Sequence, residues 1–365
     1  MARYVGLDAH RKNCVYAIED ENGTVVSQGQ VATTLEGLML LKARHELPAE
    51  TPVALETGTV AFFVARHLMA LGLNPIVVDA REVRLKASRP TQKSDRRDAL
   101  ERCGGLRRGI YRSVVHVPPP AITRLRETLG RRRHFVRLKT MQVNAAKRRL
   151  RGAGLGTLAR SLGTERAWDR LVAALAFDPA LQAFVASHQA VWRCAQEQIT
   201  ALEASLRVQQ EPLQRELDRL QTVPGVGPIG ALTVLATFSD VTRFPSAKHA
   251  ASYAGLLAST HQSGDRDRHG RITKRGSTEL RAMLCEAAHH AGRPDHPLYP
   301  YFIRLCVRRG YRMAIVAVAH RLCRIRFAML RRQTDFEPSQ LNVEEGPFER
   351  TTVRRYRLKP MLAQA

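Results

Sequence analysis

Asp8 closes a short apolar run, Val-Gly-Leu-Asp-Ala-His, and Glu56 closes a second, Ala-Leu-Glu-Thr-Gly. Asp95 and Asp98 lie three apart in Lys-Ser-Asp-Arg-Arg-Asp-Ala, so they share one face if that segment is helical. Carboxylates at the ends of adjacent strands, joined by a pair from a helix, could converge on one point. Two hard cations about 4 Å apart suit such a set of oxygen donors. Ions held this way activate an attacking oxygen and stabilise a leaving one in phosphoryl transfer. Any one of these acids alone reads as a solvated surface carboxylate; all four at these positions point to metal. His10 lies near Asp8, and His261 and His269 flank Ser263; for each the default is a surface histidine, with a metal or acid–base role as the alternative.

A second candidate group sits far along the chain. Ser263 precedes Gly264 in a polar loop, Ser263–Gly276, where its hydroxyl can be exposed. Arg266, Arg268, Lys274 and Arg275 are close enough in sequence to stabilise a phosphate. Ser259, Thr260, Ser277 and Tyr253 compete with it on residue type alone. Upstream, Val223–Phe238 opens with Pro224-Gly225-Val226-Gly227, a turn feeding a helix. Its backbone N–H groups and the helix N-terminus can hold a phosphate, as in a helix-hairpin-helix.

The elements that must position these residues follow from periodicity. Tyr4–Asp8, Cys14–Glu19 and Thr24–Val31 read as strands, with Glu21-Asn22-Gly23 as a tight turn between the last two. Leu35–Leu47 reads as helix, Pro52–Glu56 as strand, Val60–Leu71 as helix and Pro75–Asp79 as strand. Three antiparallel strands, then helix, strand, helix, strand, is the order of a ribonuclease-H-like domain. Ala121–Arg151 is helical and basic, and Gly152–Gly163 interrupts it. Leu181–Leu220 resumes with leucines spaced by threes, fours and one seven, which suits an antiparallel coiled coil, contact with a partner subunit, or an ordinary helical hairpin. Helices are expected from Thr278 to about Gly292, over Leu298–Gly310 and over Met313–Gln333. The tail ends in a basic patch, Arg350–Lys359.

Composition narrows the partners. The 365 residues carry 58 Lys and Arg against 33 Asp and Glu, a net charge of +25, and the isoelectric point is about 10.8. A surplus this large calls for a polyanion. The six cysteines form no CxxC pair, which argues against a zinc ribbon or a disulfide framework and fits reduced thiols in a cytoplasm. The N-terminus has no signal-peptide core, and the most apolar stretch, Met313–Leu330, is broken by His320, Arg321, Arg324 and Arg326, so no membrane span is expected.

Several blocks are recognisable together. Tyr-Val-Gly-Leu-Asp-Ala-His-Arg-Lys-Asn, Ala-Leu-Glu-Thr-Gly and Lys-Ser-Asp-Arg-Arg-Asp-Ala stand near the N-terminus. Val223–Ala236, Ala251–Leu256, Gln262–Ser277 and Glu279–Leu284 stand near the C-terminus. In their order and long spacing, over nearly the whole chain, the sequence resembles the DEDD transposases of bacterial insertion sequences, the family that includes the pilin-gene invertase. The resemblance implies a RuvC-like nuclease domain whose acids, and Mg²⁺ or Mn²⁺ ligands, are Asp8, Glu56, Asp95 and Asp98. It also implies a nucleophilic serine that falls on Ser263, DNA as substrate, a structured noncoding guide RNA pairing with donor and target, and dimers assembling to a tetramer. Ser277 stands where the family often has Asn, a change between two good helix caps.

The expected fold class is therefore α/β plus α. Residues 1–115 form the RuvC-like domain, 116–219 a helical coiled-coil spacer, 220–335 a mostly helical transposase domain, and 336–365 a basic tail. Two other readings stand beside it: a RuvC-type junction or repair nuclease, which needs the four acids but not Ser263, and a non-catalytic nucleic-acid scaffold.

Overall fold

The computed structural model describes residues 2–87, 94–263 and 266–341, apart from the side chains of 159, 260–269 and 340. The chain divides into two compact units, Met1–Pro119 and Pro120–Ala365. In the first unit the strands are β1 (Arg3–Ala9), β2 (Asn13–Asp20), β3 (Val25–Ala32), β4 (Pro52–Glu56) and β5 (Asn74–Val78). The helices are α1 (Leu35–Arg44), α2 (Ala61–Ala70), α3 (Ala80–Lys86) and α4 (Asp95–Arg107). The sheet order is β3-β2-β1-β4-β5. β1 pairs antiparallel with β2, and β2 with β3; β4 is parallel to β1, and β5 to β4. The expected mixed α/β unit with three antiparallel strands leading the chain is thus present, and only the short α3 carries no clear sequence signal.

The period of two along each strand sorts the side chains. Val5 and Leu7 of β1, Tyr16 and Ile18 of β2, and Val53 and Leu55 of β4 join Leu38, Leu41, Val64 and Leu68 in one core. The alternate residues face the other side, where Val15 and Ala17 meet Ala99 and Cys103 of α4. Gly6 makes that packing possible: a Cβ there would collide with Ala99 O and Cys103 N. Cys103 Sγ donates to Tyr4 O at 3.0 Å. Any side chain at position 6 would push α4 off β1 and take its N-terminal turn with it.

The second unit is helical, with one hairpin among the described residues. Its elements are α5 (Pro120–Gly152), α6 (Glu165–Ala174), α7 (Pro179–Gln210), α8 (Gln214–Gln221), α9 (Pro228–Phe238), α10 (Ala247–Tyr253), β6 (Ala258–Ser263), β7 (Arg266–Ile272), α11 (Thr278–His289), α12 (Tyr299–Arg309) and α13 (Tyr311–Arg332). α5 and α7 run antiparallel. Gln209 meets Thr128, Glu203 meets Arg132, Gln196 meets Lys139 and His188 meets Gln142, so one partner number rises as the other falls. The leucine spacing is satisfied within the chain as a helical hairpin. At one end Leu125, Leu129 and Leu206 join the core of α9–α13. At the other, Trp168 and Leu171 of α6 close a separate core with Leu150, Val185 and Trp192. The helices expected over 116–219 therefore lie in the same compact unit as those that follow.

Residues 258–272 differ from expectation. The sequence reads as a polar loop from Ser263, yet Ala258–Ser263 and Arg266–Ile272 pair antiparallel, Ser263 opposite Arg266. Polar strands are permitted because a hairpin's ladder is made by the backbone. The base of the hairpin is pinned to the segment before it. Thr273 N donates to Leu257 O at 2.8 Å and Lys274 N to Gly255 O at 3.2 Å. Gly276, at φ +110°, lies so close to Tyr253 O that a Cβ would collide with it. The Tyr-Ala-Gly-Leu and Lys-Arg-Gly-Ser blocks are thus two halves of one joint. The basic patch Arg350–Lys359 lies outside the described residues. No helix among the described residues is long and apolar enough to cross a membrane.

Candidate active site

Asp8 and Glu56 reach one place because of strand register. Leu7 pairs with Leu55 across parallel β1 and β4. Asp8 and Glu56 lie one step further toward the strand ends, on the α4 face of the sheet. α4 supplies the third wall. Ser94 caps it, its Oγ accepting from Arg97 N at 3.3 Å, a contact worth about 1 kcal/mol. That cap places Asp95 and Asp98 in the first turn, where the helix dipole favours negative charge.

The acids converge in part. Single ligand atoms of Asp8, His10 and Asp95 all lie within 4.8 Å of one another. His10 Nε2 is 3.0 Å from Asp8 Oδ2 and 3.4 Å from Asp95 Oδ2. Glu56 borders this group through a shared partner: Arg102 Nη1 is 3.0 Å from Asp8 Oδ1 and Arg102 Nη2 is 2.7 Å from Glu56 Oε2. Asp98, half-buried, follows Asp95 by one turn of α4 and is outside the three-residue group. Asp8 thus turns one oxygen to Arg102 and the other to His10 and Asp95. The donors are two carboxylates and an imidazole, with the Glu56 carboxylate at the border. That set fits a hard divalent cation.

Arg102 joins the site without having been a sequence candidate, although its position carries a signal. It lies seven residues after Asp95 and four after Asp98, two turns along the same helix face. It is 4% exposed, and a charge so buried requires paired carboxylates. His10, for which the sequence offers a metal or acid–base role beside the surface default, is exposed and stands between Asp8 and Asp95. Glu19, also on the α4 face, is engaged separately by Arg107 at 2.9 Å.

In the second unit the backbone of Ser263 ends β6. Its side chain, with those of Thr260, His261, Arg266, Arg268 and His269, lies outside what is described. The other competitors are occupied. Ser277 caps α11, accepting from Leu280 N at 3.1 Å, the capping role its sequence context suggests. Ser259 Oγ donates to Arg271 O at 3.2 Å. The Tyr253 ring is packed between Phe244, at 5.3 Å, and the Arg243 guanidinium, at 4.4 Å. The Gly225–Gly227 turn leads into α9, which has no side-chain cap.

The comparisons with known proteins bear on both units. A family model described as a transposase, DEDD_Tnp_IS110, matches residues 5–154, which include all four acids. A second, described as transposase of the IS116/IS110/IS902 family, matches residues 217–301, which include Ser263 and the turn before α9. An acid-edged mixed sheet and a basic helical unit, carrying these two domains in this order, define a transposase. The chain belongs to the IS116/IS110/IS902 family of transposases. It is 28% identical over 298 residues to a probable family 20 transposase of Pseudomonas aeruginosa, covering 78% of this chain and 86% of that one. It is 26% identical over 286 residues to the transposase for insertion sequence element IS1111A of Coxiella burnetii, covering 74% and 75%. A pilin gene-inverting protein of Moraxella bovis is 32% identical over 121 residues, 32% of this chain and 38% of that one.

Proposed function

We propose that this transposase cuts and rejoins DNA by divalent-metal-dependent transesterification, through a RuvC-like first unit and a phosphoserine formed at Ser263. The observation that carries the reading is the convergence of Asp8 and Asp95, with Glu56 joined to them by Arg102. Asp8, Glu56, Asp95 and Asp98 would hold Mg²⁺ or Mn²⁺. A bound divalent cation supplies positive charge at the reacting phosphate. Arg102 fixes the rotamer of Asp8 and leaves its second oxygen facing the site. His10 is near enough to orient that oxygen or to move a proton at Nε2.

Rejoining is what calls for a serine. Hydrolysis would spend the phosphodiester and leave ends that cannot reseal unaided. In the serine route the Ser263 Oγ–P bond forms as the P–O bond to one strand breaks. The serine proton passes to the departing strand oxygen, so no water is consumed. A strand hydroxyl then attacks the phosphoserine and reverses the exchange. Asp8 and Ser263 belong to different compact units. A composite site built from the acids of one subunit and the serine of another, in a tetramer, would restrain cutting by a lone monomer. The exposed arginines of α5, among them Arg124, Arg131, Arg137 and Arg148, and the +25 charge support a long polyanion contact. A structured guide RNA that pairs with donor and target DNA is part of the reading.

The test is the fate of labelled DNA carrying the ends of the element. With Mg²⁺ the expected products are joined or protein-linked strands, and a chelator should stop their formation. Free ends alone would favour a hydrolytic nuclease, and unchanged DNA a scaffold; either result overturns the proposal.

A further inference from the structure

The helical unit contains a buried charge that no acid among the described residues neutralises. Arg326, on α13, is 1% exposed, and its Nε and Nη1 have no hydrogen-bond partner among the described residues. Burial lowers its pKa to about 10, which still leaves it protonated near neutrality. An uncompensated buried guanidinium is strongly unfavourable, and one that persists calls for an anion.

The surroundings say where the anion would sit. Arg326 lines a small pocket with Gly225, Val226, Gly227, Gly230 and His290. These glycines are the turn before α9 and its first turn. Gly227 is the N-cap, no side chain caps the helix, and Pro228 at the first position has no N–H. The N–H groups of Ile229 and Gly230 therefore lack an intrahelical acceptor. His296 Nε2 at 3.4 Å from Pro224 O steadies the turn from outside. Glu286 is the one carboxylate among the lining residues; it is exposed and makes no ion pair with Arg326. Free helix N–H groups on one wall and a guanidinium with two unpartnered nitrogens on another form a complementary pair of donors for a phosphate.

We infer that the turn before α9 and Arg326 together form a seat for one backbone phosphate of DNA. The inference rests on the reading that the chain acts on DNA, and it adds a residue outside the matched domain, which ends at 301. The seat carries no base readout, so it fixes the placement of the duplex and not its sequence.

Two variants test it by opposite routes. Arg326→Met removes the charge and keeps the volume. A buried pair-less charge lost should leave the melting temperature equal or higher, while affinity for a random 30-base-pair duplex should fall about tenfold. The slope of log K against log salt should become shallower by about 0.9, one phosphate contact. Gly227→Asp stands at φ −88°, open to any residue, with nothing within 4 Å of its added Cβ. An aspartate there caps α9 with its own carboxylate, so stability should hold or rise while the same affinity and slope are lost. Unchanged duplex affinity and slope in both variants would overturn the seat. So would a loss confined to single-stranded RNA, or a melting-temperature rise with inorganic phosphate that Arg326→Met abolishes while duplex binding stays intact. Cleavage by the wild type is scored in parallel. Wild-type cleavage with unaltered variant binding sinks only the seat, and absent wild-type cleavage with weakened variant binding sinks only the catalytic reading.

Discussion

Asp8→Asn should lower strand cleavage by at least about a thousandfold while duplex binding at fixed salt stays within about twofold. A metal-held phosphate gains several kcal/mol of transition-state stabilisation, and each 1.36 kcal/mol is tenfold in rate. Asp8 is central because its two oxygens do different things. Oδ1 lies 3.0 Å from Arg102 Nη1 and Oδ2 lies 3.0 Å from His10 Nε2. Asparagine keeps the shape and an acceptor for Arg102 but removes the charge that a cation needs. The protein should therefore stay folded, and the loss should appear in the rate. A variant that cleaves at a tenth of the normal rate or faster would take the cluster out of catalysis.

Arg102→Leu should destabilise the first unit by about 2–3 kcal/mol, or roughly 10 °C in melting temperature. Removing one member of a buried pair usually costs about 3–5 kcal/mol. The lower figure allows for Glu56, whose side chain is 31% exposed and so partly solvated once released. Asp8, at 11%, has no such relief and is left facing Asp95 without a cation. The loss is therefore expected to be ion-dependent. Mg²⁺ should raise the melting temperature of Arg102→Leu by more than it raises that of the wild type, because the ion then replaces the guanidinium as counter-charge. Thermal melts with and without Mg²⁺ decide it; a variant as stable as the wild type in chelator would contradict the account of the pair.

The first unit is legible in the sequence because its strands alternate cleanly. Val5 and Leu7, then Val53 and Leu55, are apolar on one face, and the residue after each pair's end is an acid. What sequence does not supply is register: that Leu7 lies beside Leu55 follows from the sheet, and it places Asp8 beside Glu56. A search for acids alone passes over Arg102, whereas a patterned search of α4 at i, i+3 and i+7 finds it. Composition hides the hairpin of β6 and β7, since Arg-Asp-Arg-His-Gly-Arg has the residues of a loop. Its signal is the spacing of two residues, Gly and Asp, between the two strands. α6 carries an apolar stripe of its own, but the glycine-containing stretch 152–163 before it interrupts the helical pattern and hides where it starts. That helix is held by burial of Trp168 and Leu171 and by the Thr164 cap, which accepts from Ala167 N at 3.3 Å. Arg326 breaks an apolar run and so reads in sequence as a mark against a membrane span. Only packing reveals that it is buried.

Mapping the residue that carries DNA tests the account most directly. Labelled element-end DNA is incubated with the protein and Mg²⁺, the reaction is stopped with denaturant, and the linked peptide is located by mass spectrometry. The account expects one adduct, on Ser263, present with Ser259→Ala and absent with Ser263→Ala or with Asp8→Asn. An adduct on Tyr253 or Ser277, or full recombination by Ser263→Ala, would contradict it.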